Sequence, residues 1–226
     1  TPLTSSAASD VYKRQALPVG AFSYSEGLEV LIQSGTLADE NALLEWLEAE
    51  LQRGSVRLEA AALRLFGASL CDWCQGTDPA ARDRLIDLDG WLMACRDAAE
   101  VRAQQRQMGQ SLLQLLAEMG HVLPEPLGLS WPAAWAWAAM ALDIPIGEMV
   151  EGYLYSWVAN QLSAAVRLLP LGPTRAQVLQ QRLLPLITVQ ASQLQAEDPR
   201  TLWNGGVGSA MAQLAHAELY SRLFRS

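Results

Sequence analysis

IGEMVEGYLYSWVANQLSAAVRLL, from Ile146 to Leu169, carries the clearest period in the chain. Ile146, Met149, Val150, Tyr153, Leu154, Trp157, Val158, Leu162, Ala165, Val166 and Leu169 recur at i, i+3, i+4 spacing, which draws one apolar stripe along an α-helix. Gly152, Ser156, Ala159 and Ser163 draw a second stripe of small residues, and small residues let helices approach closely. The spacing predicts a helix packed on two sides, central in the fold or at a subunit contact.

The same period extends outward almost without interruption. Upstream, Ser23-x-x-Glu26 has capping-box spacing, so a first helix is expected from Ser23 to about Gly35. Others follow from Thr36–Asp39 to Gly54, from Ser55 through Trp73, and from Asp78–Pro79 to Met119, the last with a break near Gly90. His121–Gly128 reads as a loop, and Ser130–Pro132 opens a Trp/Ala-rich helix. Downstream, Thr174 opens a helix kinked or interrupted at Pro185, Asp198–Pro199 repeats the start signal, and Ser209 is placed to cap the last helix. No strand pattern, repeat or long linker stands out. The expectation is one all-α domain of roughly eight to ten helices over residues 16–226. Thr1–Gln15 differs: it is Ser/Ala/Thr-rich without helical period, and reads as a disordered or non-native leader.

Half of the 226 residues are apolar and 18% are charged, enough for one substantial core. The net charge is −8, Lys13 is the single lysine, and no basic run occurs, so nucleic acid and anionic membrane are poor partners. The longest uncharged stretch, Pro126–Leu142, falls short of the ~20 residues that cross a bilayer. No secretory signal is visible, and three cysteines make no disulfide framework, which together predict a cytoplasmic protein.

Four stretches carry a further message. They are LPVGAFSYSEGLE (Leu17–Glu29), EVRAQQRQMGQSLLQL (Glu100–Leu115), YLYSWVANQLSAAVRLLPLG (Tyr153–Gly172) and YSRLFRS (Tyr220–Ser226). In content and order they resemble the urease accessory protein UreF family. The resemblance implies an all-helical maturation factor without catalytic chemistry or a directly bound cofactor. It further implies binding to UreD (UreH), recruitment of the GTPase UreG, and GTP-dependent nickel delivery to the urease apoprotein. Members are often dimers, so a homodimer within the complex is implied too, and regulation of the UreG GTPase is a possible role. One departure is visible: the family often has H-E-T-Q before the terminal motif, where this chain has His216-Ala217-Glu218-Leu219.

On this reading the two end motifs supply partner surfaces. Pro18, Gly20 and Gly27 shape the first segment, and Gly27 in a helix costs about 1 kcal/mol relative to alanine, which suggests a close backbone neighbour. Phe22, Ser23, Tyr24 and Glu29 are its other interface candidates. Tyr220, Arg222 and Phe224 are candidates at the terminus, because aromatic and guanidinium groups dominate interface energetics. The alternative is a terminus folded back on its own helices. Arg102 and Arg106 share a helix face at i, i+4, and either pair internally, for example with Glu100, or meet a partner.

Two rivals come from other classes. A nickel-binding carrier would use Cys71, Cys74, Cys95, His121 or His216 directly. Yet C-x-x-C without a second ligand pair lacks the spacing of a closed metal site, and neither histidine belongs to a ligand-spaced group, so no metal ligand is assigned. A helical enzyme would need scattered carboxylates to converge in a concave pocket. Ser25 lies outside any G-x-S-x-G elbow, and the Gly205–Ser209 run lacks the lysine of a P-loop, so no catalytic residue is assigned.

Overall fold

The computed structural model describes residues 23–226. Among them the chain forms nine α-helices and no strand. These are α1 (Leu28–Gln33), α2 (Glu40–Arg53), α3 (Val56–Gln75), α4 (Ala81–Ala94) and α5 (Ala99–Glu118), followed by α6 (Trp131–Ala141), α7 (Ile146–Leu168), α8 (Pro173–Leu194) and α9 (Val207–His216). A 3₁₀ turn, Pro199–Thr201, lies between α8 and α9. The architecture is all-α, as the periodicity predicts. Residues 1–15, with Pro18, Gly20 and Phe22, lie outside the described residues.

The helix α7 occupies the middle of the bundle, packed against α1, α3, α6 and α8. Met149, Val150, Tyr153, Leu154, Val158, Leu162 and Ala165 of its apolar stripe are buried, and only Ile146 in the first turn is exposed. The small-residue stripe does not act as expected, since Gly152 is buried but Ser163 faces solvent. Close helix approach occurs elsewhere. At Gly109 of α5 a Cβ would lie 2.2 Å from the Leu129 carbonyl oxygen, so glycine is what lets α5 meet the chain entering α6. Helix α6 is buried around nearly its whole circumference, consistent with its Trp/Ala composition. The indole N–H groups of Trp135 and Trp137 donate to the carbonyls of Met149 and His121 at 3.2 and 3.4 Å.

Local expectations fail where a long-range partner takes the side chain. Ser23 and Glu26 form no capping box, because α1 begins at Leu28 behind Gly27 and the Glu26 carboxyl turns inward. Ser209 lies inside α9 rather than capping it, and its hydroxyl bonds Glu50. The break expected near Gly90 comes at Cys95–Ala98, where Arg96 is drawn into the core. Pro185 does not interrupt α8. Both Pro185 and Gln181, whose carbonyl loses its partner there, are exposed, so the freed group lies on the solvent side of the helix. Helix α2 starts where expected, and Asp39 caps it, accepting from the amides of Asn41 and Ala42 at 2.9 Å each.

Candidate partner interface and the polar network beneath it

Residues 23–29 enter the fold through a strained turn. Glu26 has φ 53° and Gly27 φ 87°, two consecutive left-handed residues of which only the second is glycine. At Gly27 a Cβ would lie 2.8 Å from the backbone nitrogen of Gln213, which identifies the close neighbour as α9. For Glu26 the left-handed conformation costs on the order of 1–2 kcal/mol. Its side chain offsets that cost by accepting from Gln104 (2.7 Å), Trp157 (3.0 Å) and Gln161 (3.5 Å).

The terminal motif folds back onto this turn. The Ser226 carbonyl accepts from the Ser25 amide (2.7 Å), the Glu26 amide (3.1 Å) and the Ser25 hydroxyl (2.7 Å), while the Arg225 amide donates to the Ser23 carbonyl at 2.9 Å. Glu29 accepts from the amides of Leu223 (2.7 Å) and Phe224 (3.1 Å). Phe224 is buried, with the Arg167 guanidinium 4.6 Å above its ring, and Arg222 reaches Glu100 at 2.6 Å. Tyr24 is half-buried against the core, whereas Tyr220 is fully exposed. His216, fully buried at the end of α9, ties both parts together. Its Nδ1 lies 2.9 Å from Glu100 and its Nε2 3.3 Å from Glu29, so the ring bridges the two carboxyl groups. The Glu100 carboxyl is partly buried, which alone would raise it, but its bonds to His216 and Arg222 hold it below the usual carboxylate range.

Helix α9 is inside out. Ser209, Ala212, Gln213 and His216 face the protein, while Val207, Met211 and Leu214, at i, i+4, i+7, face solvent. The inward polar groups all have partners: Ser209 bonds Glu50 at 2.5 Å and accepts from Trp46 at 3.2 Å, and Gln213 donates to the Glu26 carbonyl at 3.3 Å. Trp203 precedes the outward stripe, and Tyr220 and Leu223 follow it in the tail, all at least half exposed. An exposed apolar stripe carried on a helix seated by its polar side is a candidate interaction surface.

The two arginines are used within the chain. Arg102 donates to the carbonyls of Arg96 and, at 2.8 Å, Asp97, closing the turn before α5. Arg106 pairs with the buried Asp89 and donates to the Gly128 carbonyl at 3.1 Å, and Asp89 also accepts from the Ser130 amide at 3.1 Å. Both therefore position loops.

Beneath the turn lies a buried charged network. Arg96, from the α4–α5 link, pairs with Glu59 of α3 and also reaches Ser55. Glu59 accepts in addition from Tyr153 (2.7 Å) and Gln105 (3.1 Å). Burial alone would lower Arg96, but Glu59 and Glu26 hold its guanidinium firmly protonated. Burial raises the Glu26 carboxyl; Arg96 opposes this and Glu59 adds to it. Burial likewise raises Glu50 despite its bond to Ser209, and drives the Tyr153 phenol well above its ordinary value. Glu26 and Glu59 border a cavity of about 20 Å³, roughly the space of one water. Carboxylates thus do converge, but in a space too small for an organic substrate.

The cysteines are dispersed: Cys71 and Cys74 sit in the last turns of α3, and Cys95 ends α4. Cys74 is exposed, and burial followed by the neighbouring Cys71 raises its thiol. Among the described residues no group of three or more His, Cys, Asp or Glu is placed to hold a metal ion. None of their helices is long and apolar enough to cross a membrane.

The outward stripe of α9 escaped the sequence reading. Its signal was present in the alternation of Val207, Met211 and Leu214 with Ser209, Gln213 and His216. Amphipathicity alone does not say which face goes inward, and here four distant glutamates decide it.

The chain is similar to known proteins along most of its length. The family model UreF matches residues 37–184. The urease accessory protein UreF of Prochlorococcus marinus strain MIT 9215 is 40% identical over 213 residues, covering 93% of both chains. Its counterpart in strain AS9601 is 38% identical with the same coverage. The urease accessory protein UreF of Trichormus variabilis is 39% identical over 220 residues, 93% of this chain and 91% of that protein.

Proposed function

The chain belongs to the UreF family of urease accessory proteins, and from that premise we propose that it acts as a non-catalytic assembly factor. In this role it binds UreD (UreH), recruits the GTPase UreG, and supports GTP-dependent nickel insertion into apo-urease in the cytoplasm. It does so as a homodimer within the complex, with nickel and GTP handled by its partners. The observation that carries this reading is the inside-out helix. A protein that spends buried glutamates on seating a helix by its polar side keeps an apolar face for a partner. Met211, Leu214 and Val207 supply that face, with Trp203, Tyr220 and Leu223 extending it along the chain. Arg222, Phe224, Glu29 and Gly27 act one step back, holding α9 and the tail in place.

The test is capture of UreD and UreG, with urease activation as the readout, by the parent chain and by Met211→Asp/Leu214→Asp. Both side chains are at least half exposed, so the variant is expected to fold with an unchanged Tm. Burying each in a complex is worth about 1 kcal/mol, and placing a carboxylate there costs more, so capture should weaken at least tenfold. Equal capture and equal activation by a folded variant would remove α9 from the interface. Failure of the parent chain to support activation would remove the function itself.

A further inference from the structure

The small cavity bordered by Glu26 and Glu59 has a hydrogen-bond pattern that its own walls leave incomplete. Gln105 and Gln161 are each 2% exposed and line it, yet the Oε1 of each accepts no hydrogen bond. Rotating the Gln105 amide does not help, because its Nε2 donates to Glu59 at 3.1 Å and exchange would set an amide oxygen against a carboxylate that already pairs with Arg96; the Gln161 Nε2 lies 3.5 Å from Glu26. Two buried acceptors on residues lining a space about the size of one water are therefore left without a donor, and each unpaired acceptor costs about 1–3 kcal/mol.

Charge narrows the occupant. The titratable groups facing the space are Glu26 and Tyr24 from the entry turn, Glu59 from α3 and Tyr153 from α7, with Arg96 behind Glu59; α5 contributes Gln104, Gln105 and Met108, and α6 Trp131. Two carboxylates thus stand against one guanidinium. A neutral occupant leaves that excess uncompensated, whereas a monovalent cation balances it. Tyr24, Trp157 and Asn160, which also line the space, are partly exposed.

We propose that this chamber is a binding site for one water-sized, hydrogen-bond-donating cation of the ammonium class, held by Gln105 Oε1, Gln161 Oε1 and the Glu26 carboxylate. Ammonium has the size of water and four donors, which matches acceptors on α5, α7 and the entry turn. Burial raises the Glu26 carboxyl, so the cation competes there with a proton and uptake strengthens as pH rises. The Glu26 peptide carbonyl also receives Gln213 of α9, but the proposal does not rest on the assembly role.

The full chain is tested by thermal unfolding in ammonium chloride against tetramethylammonium chloride at equal ionic strength. The expected result is a saturable rise in Tm of about 2–4 °C with ammonium only, larger at pH 8 than at pH 6. Gln105→Met/Gln161→Met, which removes both free acceptors at similar volume, should lose the ammonium response. Should that variant not fold, ¹⁵N-ammonium NMR of the parent chain decides, because a caged ion gives its own slowly exchanging resonance. Identical Tm in the two salts, an unchanged ammonium response in the double variant, or no bound resonance would each mean that water alone fills the chamber and would overturn the proposal.

Discussion

Arg96→Met isolates the charge that holds the centre of the fold. Arg96 is 7% exposed and its partner Glu59 4%, so the substitution leaves a carboxylate in the interior with Glu26 nearby and without its cation. Removing one partner of a buried pair costs about 3–5 kcal/mol, because the remaining charge keeps its desolvation penalty. For a chain of this size each kcal/mol moves Tm by about 2–4 °C, so the fall should be about 6–20 °C. Removing the orphaned charge should recover much of it. In Glu59→Gln/Arg96→Met the new amide oxygen still accepts from Tyr153, and its nitrogen can donate to Gln105 Oε1 once the Gln105 amide turns over, so about 2 kcal/mol should return. Urea denaturation of the parent, both single variants and the double variant gives the coupling directly. A loss below about 1 kcal/mol in Arg96→Met, or a double variant no better than the sum of its singles, would refute the view that this ion pair organises the core.

Glycine substitutions should separate packing from propensity: Gly109→Ala puts a methyl 2.2 Å from the Leu129 carbonyl oxygen and should cost at least about 1–3 kcal/mol, read as a lower urea midpoint. Gly208→Ala in α9 meets no atom within 4 Å and should instead raise the midpoint slightly, by up to about 1 kcal/mol. The raised Glu50 carboxyl means that the folded state binds its proton more readily than the unfolded chain, so its contribution favours folding at acid pH and is lost as pH rises through the raised value. Glu50→Gln should therefore exceed the parent in stability at neutral pH and converge with it as pH falls below the carboxylate range, measured as urea midpoint against pH.

The helices were legible because a 3.6-residue period is a local property. The α7 stripe, the Asp39 cap and the Trp/Ala helix α6 all follow from residues close in sequence. The polar features were not. Glu26 looked like the third residue of a capping box, and only Gln104, Trp157 and Gln161, far along the chain, turn it inward. Ser209 looked like a cap until Glu50 and Trp46 claimed it. Arg102 and Arg106 were open between internal pairing and an interface, and the loop carbonyls that hold them belong to turns whose course no periodicity predicts. The same limit applies to the candidate interface. The terminal motif was recognisable, but the order in which its side chains face in or out depends on Glu29 and Glu100, which reach it from other helices.

The joint between the entry turn and the tail also has a consequence in time. The bond from the Ser25 hydroxyl to the Ser226 carbonyl spans 201 positions, and the seats of His216 and Phe224 on Glu29 span 187 and 195. A ribosome adding about 5–20 residues per second makes the first half of this joint roughly 10–40 s before the second. During that interval Glu29 and the left-handed turn at Glu26–Gly27 have no tail to receive, while α2 to α8 can already assemble. The joint therefore closes last, and the polar seat of α9 is set only after the rest of the bundle exists. Destabilising changes in the tail should accordingly speed opening of the molecule far more than they slow its folding.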